Sequence, residues 1–215
     1  MTIEFEKTFD WFSEKIQEMA NNGLIKAYEQ DNLYDWYYDS EYPDEGYLVS
    51  NGCTRYVLFF DECAEYVVKF DKQHVKHSYC SREVEVYSEA VKDNQANYFA
   101  RIMHLITIDG VDFYLQERAD CCEESIEDML FEYSEKWVSE EMYEGRTDAW
   151  YSARWEAMDE FDTEDRLNAI YGEHDDTNEL VQFCYKNKVN DLHQGNFGYN
   201  HNGFPIMIDY CGYFG

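Results

Sequence analysis

Apolar residues recur at helical spacing between Phe5 and Tyr28, where Phe9, Phe12, Ile16 and Met19 stand three or four positions apart. This predicts an amphipathic helix that closes near Asn21-Asn22-Gly23 or soon after and packs on the main fold. The pattern changes between Tyr47 and Asp71. There "YLVS", "RYVLFF" and "EYVVKF" are β-rich runs punctuated by "NGCT" and "DECA", which predicts a three-stranded antiparallel meander. A helix fits "SREVEVYSEAV" from Ser81 to Val91, and two further strands, "ARIMHLITIDG" and "VDFYLQE", meet at the turn Asp109-Gly110. Between Asp120 and Glu179 there are 21 acidic and 4 basic side chains, with Trp137, Trp150 and Trp155 among them. That stretch reads as helices with one apolar stripe and a charged face, the tryptophans in the core. "TNELVQFCYKNK" continues as an amphipathic helix, and Gly198 to Asp209 reads as two short strands around "NHNG".

The expected class is α+β. Residues 1–45 form an N-terminal helical extension, 46–119 a five-stranded antiparallel lobe with one helix, and 120–215 an acidic, mostly helical lobe. With 215 residues, 45% of them hydrophobic and 18% aromatic, the chain has the material for a packed core. Two prolines, eleven glycines and no low-complexity tract argue against long linkers or a repeat array. No apolar run reaches membrane-spanning length, and "MTIEFEKTFDWF" carries acidic residues where a signal peptide has basic ones. A soluble cytoplasmic protein is expected, without membrane contact.

The formal net charge of −29 changes the picture of partners. Such a field repels nucleic-acid phosphates over a Debye length of about 8 Å and attracts cationic ligands or basic protein surfaces. Direct nucleic-acid binding is not expected, whereas imitation of DNA toward a DNA-binding partner is compatible with the charge. Seven cysteines, an odd number without C-x-x-C pairs, suggest reduced and mostly buried thiols. His74 and His77 lack the spacing and the glutamate of a zinc helix and read as a solvated turn.

Candidate chemistry lies near the C-terminal end, in "DLHQGNFGYNHNGFPIMIDYCGYFG". Asp191 and Asn196 share one loop, and Asp209 follows a hairpin that can return it beside them, so three oxygen side chains can converge on a metal. Lys69 closes a strongly apolar strand, where a buried ammonium needs a carboxylate partner. Glu83, on the following helix, is the natural candidate, with Glu85 and Glu89 as competitors on the same helix. Phosphoryl transfer needs these parts: a base for the incoming hydroxyl, oxygen ligands for magnesium, and a cation for nucleotide phosphates.

In this order the motifs resemble the protein-kinase-like superfamily, in particular its aminoglycoside-phosphotransferase branch and other small bacterial or phage kinases. "YVVK" resembles the strand bearing the nucleotide lysine, "REVEVY" the helix whose glutamate pairs with it, "YLQERA" the strand leading to the adenine hinge, "DLHQGN" the catalytic loop and "IDY" the metal motif. The resemblance spans about Tyr47 to Tyr213. It implies a two-lobed kinase-like fold, ATP and magnesium as cofactors, Asp191 as base, and Lys69 and Glu83 as the nucleotide pair. It also implies Asn196 and Asp209 as metal ligands, and Gly52, Glu117 and Ala119 at the nucleotide.

The chain departs from that pattern in several places. His193 follows the base where protein kinases usually carry lysine, "SNGCT" has one glycine rather than three, and Val189-Asn190 replace the histidine-arginine that reads a phosphorylated loop. His193 reads as a residue bridging the loop. Little sequence follows Asp209, so the expectation is a reduced kinase-like C-lobe whose acidic segment supplies the missing packing. Two readings of function stand: a kinase acting on a hydroxyl of a basic protein or cationic small molecule, or a weak or inactive pseudokinase-like acidic protein that occupies a basic or DNA-binding partner.

Overall fold

The computed structural model describes residues 3–40, 42, 46–49, 54–121, 123–138 and 147–211. Gly52 lies outside them. Three helices open the chain: α1 (Ile3–Asn21), α2 (Leu24–Glu29) and α3 (Leu33–Tyr38). The first closes where the sequence pattern places its end, because Gly23 adopts φ 109°, a left-handed conformation that costs glycine little.

Next come β1 (Gly46–Val49), β2 (Arg55–Phe60), β3 (Tyr66–Asp71), α4 (Tyr79–Lys92), β4 (Ile102–Ile108) and β5 (Val111–Glu117). The strands form one antiparallel sheet in the order β1-β2-β3-β5-β4. Side-chain alternation gives the sheet two different faces. Leu58 pairs with Val68 and Tyr56 with Phe70 across β2 and β3, and Val68 pairs with Leu115 across β3 and β5. These residues join Phe12, Ile16, Met19 and Leu24 of the N-terminal helices in one core cluster. The N-terminal helices are thus the cover of one sheet face rather than a separate body. Full burial of a side chain such as Phe12 or Ile16 contributes roughly 1.5–3 kcal/mol.

The opposite face carries Arg55, Val57 and Lys69. Helix α4 turns its buried positions Cys80, Glu83, Val86 and Ala90, three or four residues apart, inward. Its start is fixed by the end of β3: the Asp71 carboxylate accepts hydrogen bonds from the backbone N–H of Tyr79 (3.1 Å) and Cys80 (3.3 Å) and from the Ser78 hydroxyl (2.6 Å). That cap satisfies helix donors that would otherwise lack partners.

The remaining elements are β6 (Asp120–Cys121), α5 (Glu123–Tyr133), α6 (Thr147–Asp159), α7 (Thr163–Tyr171), α8 (Asp175–Asn187), β7 (Phe197–Tyr199) and β8 (Pro205–Met207). Helix α7 opens with a reciprocal capping box between Asp162 and Asp165. Helix α8 is capped by His174 and stops at Lys188, which takes a left-handed conformation at φ 57°. β6, β7 and β8 make a small antiparallel sheet in that order. Gly198 permits it: a Cβ there would stand 2.6 Å from the Ala119 Cβ and 2.9 Å from the Asp120 carbonyl.

The chain is α+β and divides into two units. Of the described residues, one unit takes those up to Glu89 and then Ala100–Arg118, and the other takes Ala90–Phe99 and those from Ala119 onward. No helix among the described residues is long and apolar enough to cross a membrane.

The tryptophans correct the sequence reading. Trp137 and Trp155 are 54% and 46% exposed. Their segment is organised around a cation instead. Arg154, 4% exposed, lies over the rings of Phe131 and Trp150 and donates to the Ser134 hydroxyl at 3.0 Å. Trp155 packs on Phe131 at 5.2 Å between ring centroids, so it shields this cluster from outside. Among the cysteines whose side chains are described, Cys80, Cys184 and Cys211 are buried, Cys63 is half-buried, and all four are free thiols. His74 and His77 are exposed in a turn.

Candidate functional site

The first set of candidate residues lies on the second face of the five-stranded sheet. Lys69 stands on β3 opposite Val57 and Tyr114, in the middle of the sheet, and is 7% exposed. It does not reach out to water as a strand-end lysine would. Glu83 is fully buried, and its Oε2 lies 3.5 Å from the Lys69 Nζ. Glu85 is turned outward, where it pairs with Arg82 at 3.0 Å on the exposed side of α4. Among the three competing glutamates, the helix therefore brings Glu83 to Lys69.

A third member of this set has no place in the sequence reading. Arg55, 8% exposed, donates from Nη1 to Glu83 Oε1 at 2.6 Å. Its guanidinium also lies over the Tyr79 ring, 5.6 Å from the centroid. Register explains the meeting: Arg55 faces Asp71, two positions along from the Val57–Lys69 pair and on the same face of the sheet. One carboxylate is thus shared by two cations. Burial and the negative charges of Glu83 and Asp71 push the Cys80 thiol well above its ordinary range, against the lowering influence of Lys69 and Arg55.

At the end of β5, the Glu117 N–H donates to the Arg101 carbonyl at 2.8 Å, and its carboxylate accepts from the Arg101 N–H at 3.4 Å. The Arg118 N–H donates to the Glu65 carbonyl at 2.8 Å. Ala119 begins the next unit, where it packs under Gly198.

The second set belongs to the unit that contains α8. Beyond Lys188 the chain runs without regular structure through Asp191 to a short 3₁₀ turn, Gln194–Asn196. His193 caps that turn: its Nδ1 accepts from the Gly195 N–H at 3.1 Å. This is the bridging position expected of it. Its Nε2 stands 3.9 Å from Asp191 Oδ1. Asn196 is 5% exposed and donates from Nδ2 to the Asp191 backbone carbonyl at 2.6 Å, so the loop closes on itself.

Asp209 is returned by the hairpin. Asn200 turns the chain, its N–H donating to the Phe204 carbonyl at 3.0 Å while its side-chain oxygen accepts from the N–H groups of Asn202 and Phe204. Phe197 then pairs with Met207, and the Ile208 N–H donates to the Asn196 carbonyl at 2.9 Å. Asp209 follows immediately, so Asp191, Asn196 and Asp209 are drawn to one end of the hairpin.

Arg166 is the second residue that the sequence reading omits. Half-buried on α7, it donates to the backbone carbonyls of Phe161 (3.2 Å), Met158 (3.2 Å) and Leu192 (3.5 Å). Burial lowers the pKa of its guanidinium, while Asp159, Asp165 and Asp191 act to raise it. It therefore ties the loop just after Asp191 to two helices and sets a positive charge near that carboxylate. The scarcity of cations in this stretch is the available signal for a structural arginine.

Among the described residues, no three His, Cys, Asp or Glu side chains gather as a metal-holding group. The candidate ligands are instead one amide and one carboxylate. With Asn196 Nδ2 committed to the Asp191 carbonyl, Oδ1 is the amide atom that a cation would meet. This donor set fits magnesium, a hard cation that keeps several waters and takes one or two protein ligands beside phosphate oxygens. No protein-family model, curated protein or solved structure matches the chain.

Proposed function

We propose that the chain is an ATP- and magnesium-dependent phosphotransferase, a two-lobed kinase-like protein. Its acceptor is a hydroxyl on a basic protein or cationic small molecule. The observation that carries this reading is the buried ion pair of Lys69 and Glu83, which holds an ammonium in place on a central strand. Burying such a pair is costly, and an apolar pair would pack there at less cost, so a task for the ammonium accounts for its presence. In this reading Lys69 binds nucleotide phosphates and Glu83 fixes its position. The backbone at Glu117 and Ala119 meets the base. Asn196 and Asp209 hold magnesium, and Asp191 orients the acceptor hydroxyl and takes its proton. Bound magnesium ATP supplies the phosphoryl group and neutralises charge on its oxygens. The net charge of −29 concentrates cationic acceptors.

The test is transfer of labelled phosphate from ATP to a basic protein or an aminated small molecule. Asp191→Ala lowers transfer roughly 10²-fold or more while sparing nucleotide binding, because a positioned base acts in the transition state. Equal rates for variant and parent would remove Asp191 from the mechanism.

One observation favours the second reading, an acidic binding protein with a weak or inactive site. Arg55 lies nearer Glu83 (2.6 Å) than Lys69 does (3.5 Å), so the carboxylate is not dedicated to the lysine. This reading requires a tight, salt-sensitive complex with a basic partner and no phosphate transferred.

A further inference from the structure

Between β7 and β8 the chain turns through Gly203, at φ 72°, and sets Phe204 against the end of α7. The Phe204 ring stacks on Tyr171 there, 5.6 Å between centroids and 26° between planes. The Tyr171 hydroxyl donates to the Pro205 carbonyl at 3.1 Å, which ties the hairpin to the helix. Tyr98, from the turn between α4 and β4, completes the group. Its ring meets Tyr171 at 4.9 Å and 74°, and Phe204 at 5.9 Å and 52°. Planes at such angles form a corner rather than a flat stack, and Phe204 stays 39% exposed.

These three rings and Tyr199 line a cavity of about 260 Å³, together with Met129 and Ile170. The volume is just below the roughly 300–1,000 Å³ of drug-sized sites and suits a smaller ligand. Aromatic faces carry negative potential and attract a cation. The surroundings act in the same direction: after burial, the charges of Asp176 and Glu179 on α8 raise the pKa of Tyr98. His174, also at the cavity, accepts from the Thr177 N–H on Nδ1 at 3.2 Å, so its ring is uncharged in this arrangement and does not repel a cation. The kind of cation follows from the polar atoms. No carboxylate lines the cavity among the described residues, the Tyr171 hydroxyl is committed to Pro205, and the Tyr199 hydroxyl is bonded to Ser125 Oγ at 2.9 Å. A primary ammonium brings three N–H donors and finds few acceptors here, whereas a fully methylated one has no donor to satisfy.

We infer that this cavity binds a small quaternary ammonium, a cation whose charge is covered by methyl groups. The methyl groups lie against the rings of Tyr98, Tyr171 and Phe204, and the carboxylates of α8 add negative potential from beyond the lining. The inference does not rest on phosphoryl transfer: the cavity is at the turn of the β7–β8 hairpin, and Asn196 and Asp209 are at its other end.

Calorimetric titration with choline at pH 8 and fixed ionic strength tests it, beside 3,3-dimethylbutan-1-ol, which has the same shape without the charge. The expected result is one choline per chain, with the alcohol binding at least about tenfold more weakly. Phe204→Leu and Tyr98→Leu leave the net charge unchanged, so they separate the rings from the general attraction of an acidic protein for cations. Each weakens choline about fivefold or more. Phe204→Leu alters an exposed turn residue and leaves the fold in place. Absence of saturable binding at millimolar choline, equal binding of the alcohol, or parent-like affinity in both variants overturns the inference.

Discussion

The Arg55 guanidinium meets the Glu83 carboxylate at 2.6 Å inside the first unit, so Lys69, at 3.5 Å on the other carboxylate oxygen, shares its anion with a second buried cation. Removing the anion therefore leaves two buried positive charges, whereas removing Arg55 leaves one balanced pair. Glu83→Gln is expected to cost about 3–5 kcal/mol of unfolding free energy, the range for breaking a buried ion pair from one side. Arg55→Met is expected to cost less. Urea denaturation of both variants gives the order, and a greater loss in Arg55→Met would contradict this account of the cluster.

Gly198 marks where β6 is pressed against β7. A methyl group there meets Ala119 and the Asp120 carbonyl inside normal contact distance. Gly198→Ala is expected to lose about 1–3 kcal/mol through displaced backbone. An unchanged denaturation midpoint would show that the two strands separate without cost.

Stability at alkaline pH carries the signature of Cys184. Burial pushes its thiol from 9.0 to about 12. The unfolded thiol loses its proton near pH 9 while the folded one keeps it, so the stabilisation is complete below pH 9 and is lost as pH rises toward 12. The expected slope from this group is about 1.4 kcal/mol per pH unit within that window. Burial and the Glu173 carboxylate raise Tyr133 from 10.0 to about 12 as well, which adds a further decline above pH 10. Chemical denaturation between pH 9 and 10 separates thiols from Tyr133: the Cys80 thiol, also raised by burial, contributes in this window, so Cys184→Ala lowers the parent's slope there without abolishing it. A variant that declines as steeply as the parent would exclude the thiol.

The sequence makes the Lys69–Glu83 pair legible because two short-range patterns suffice. Lys69 sits at the end of a continuous apolar run, and Glu83 falls in register with Cys80, Val86 and Ala90 on the buried side of α4. The Asp191 loop and the hairpin to Asp209 are legible for the same reason, since turn residues and spacing are local. Arg55 and Arg166 are not. Arg55 reaches Glu83 only through the pairing of β2 with β3, and Arg166 acts on carbonyls as far along the chain as Leu192. β6, two residues long, has no period to detect, and its pairing depends on the missing Cβ of Gly198. The tryptophan reading failed because residue type argues for burial, whereas this segment buries Arg154 and leaves Trp137 and Trp155 half open.

Metal-dependent nucleotide binding tests the central proposal most directly. ATP brings about four negative charges to a chain of net charge −29, so its approach without a metal is disfavoured. On the proposed mechanism, magnesium at Asn196 and Asp209 would reverse that. At ligand concentrations near 100 times the dissociation constant, binding stabilises the folded state by about 2.7 kcal/mol. The account predicts a clear rise in melting temperature with ATP plus magnesium, little or none with ATP alone, and loss of the difference in Asp209→Asn. A melting curve unmoved by millimolar magnesium ATP would contradict it and leave the acidic binding protein as the better reading.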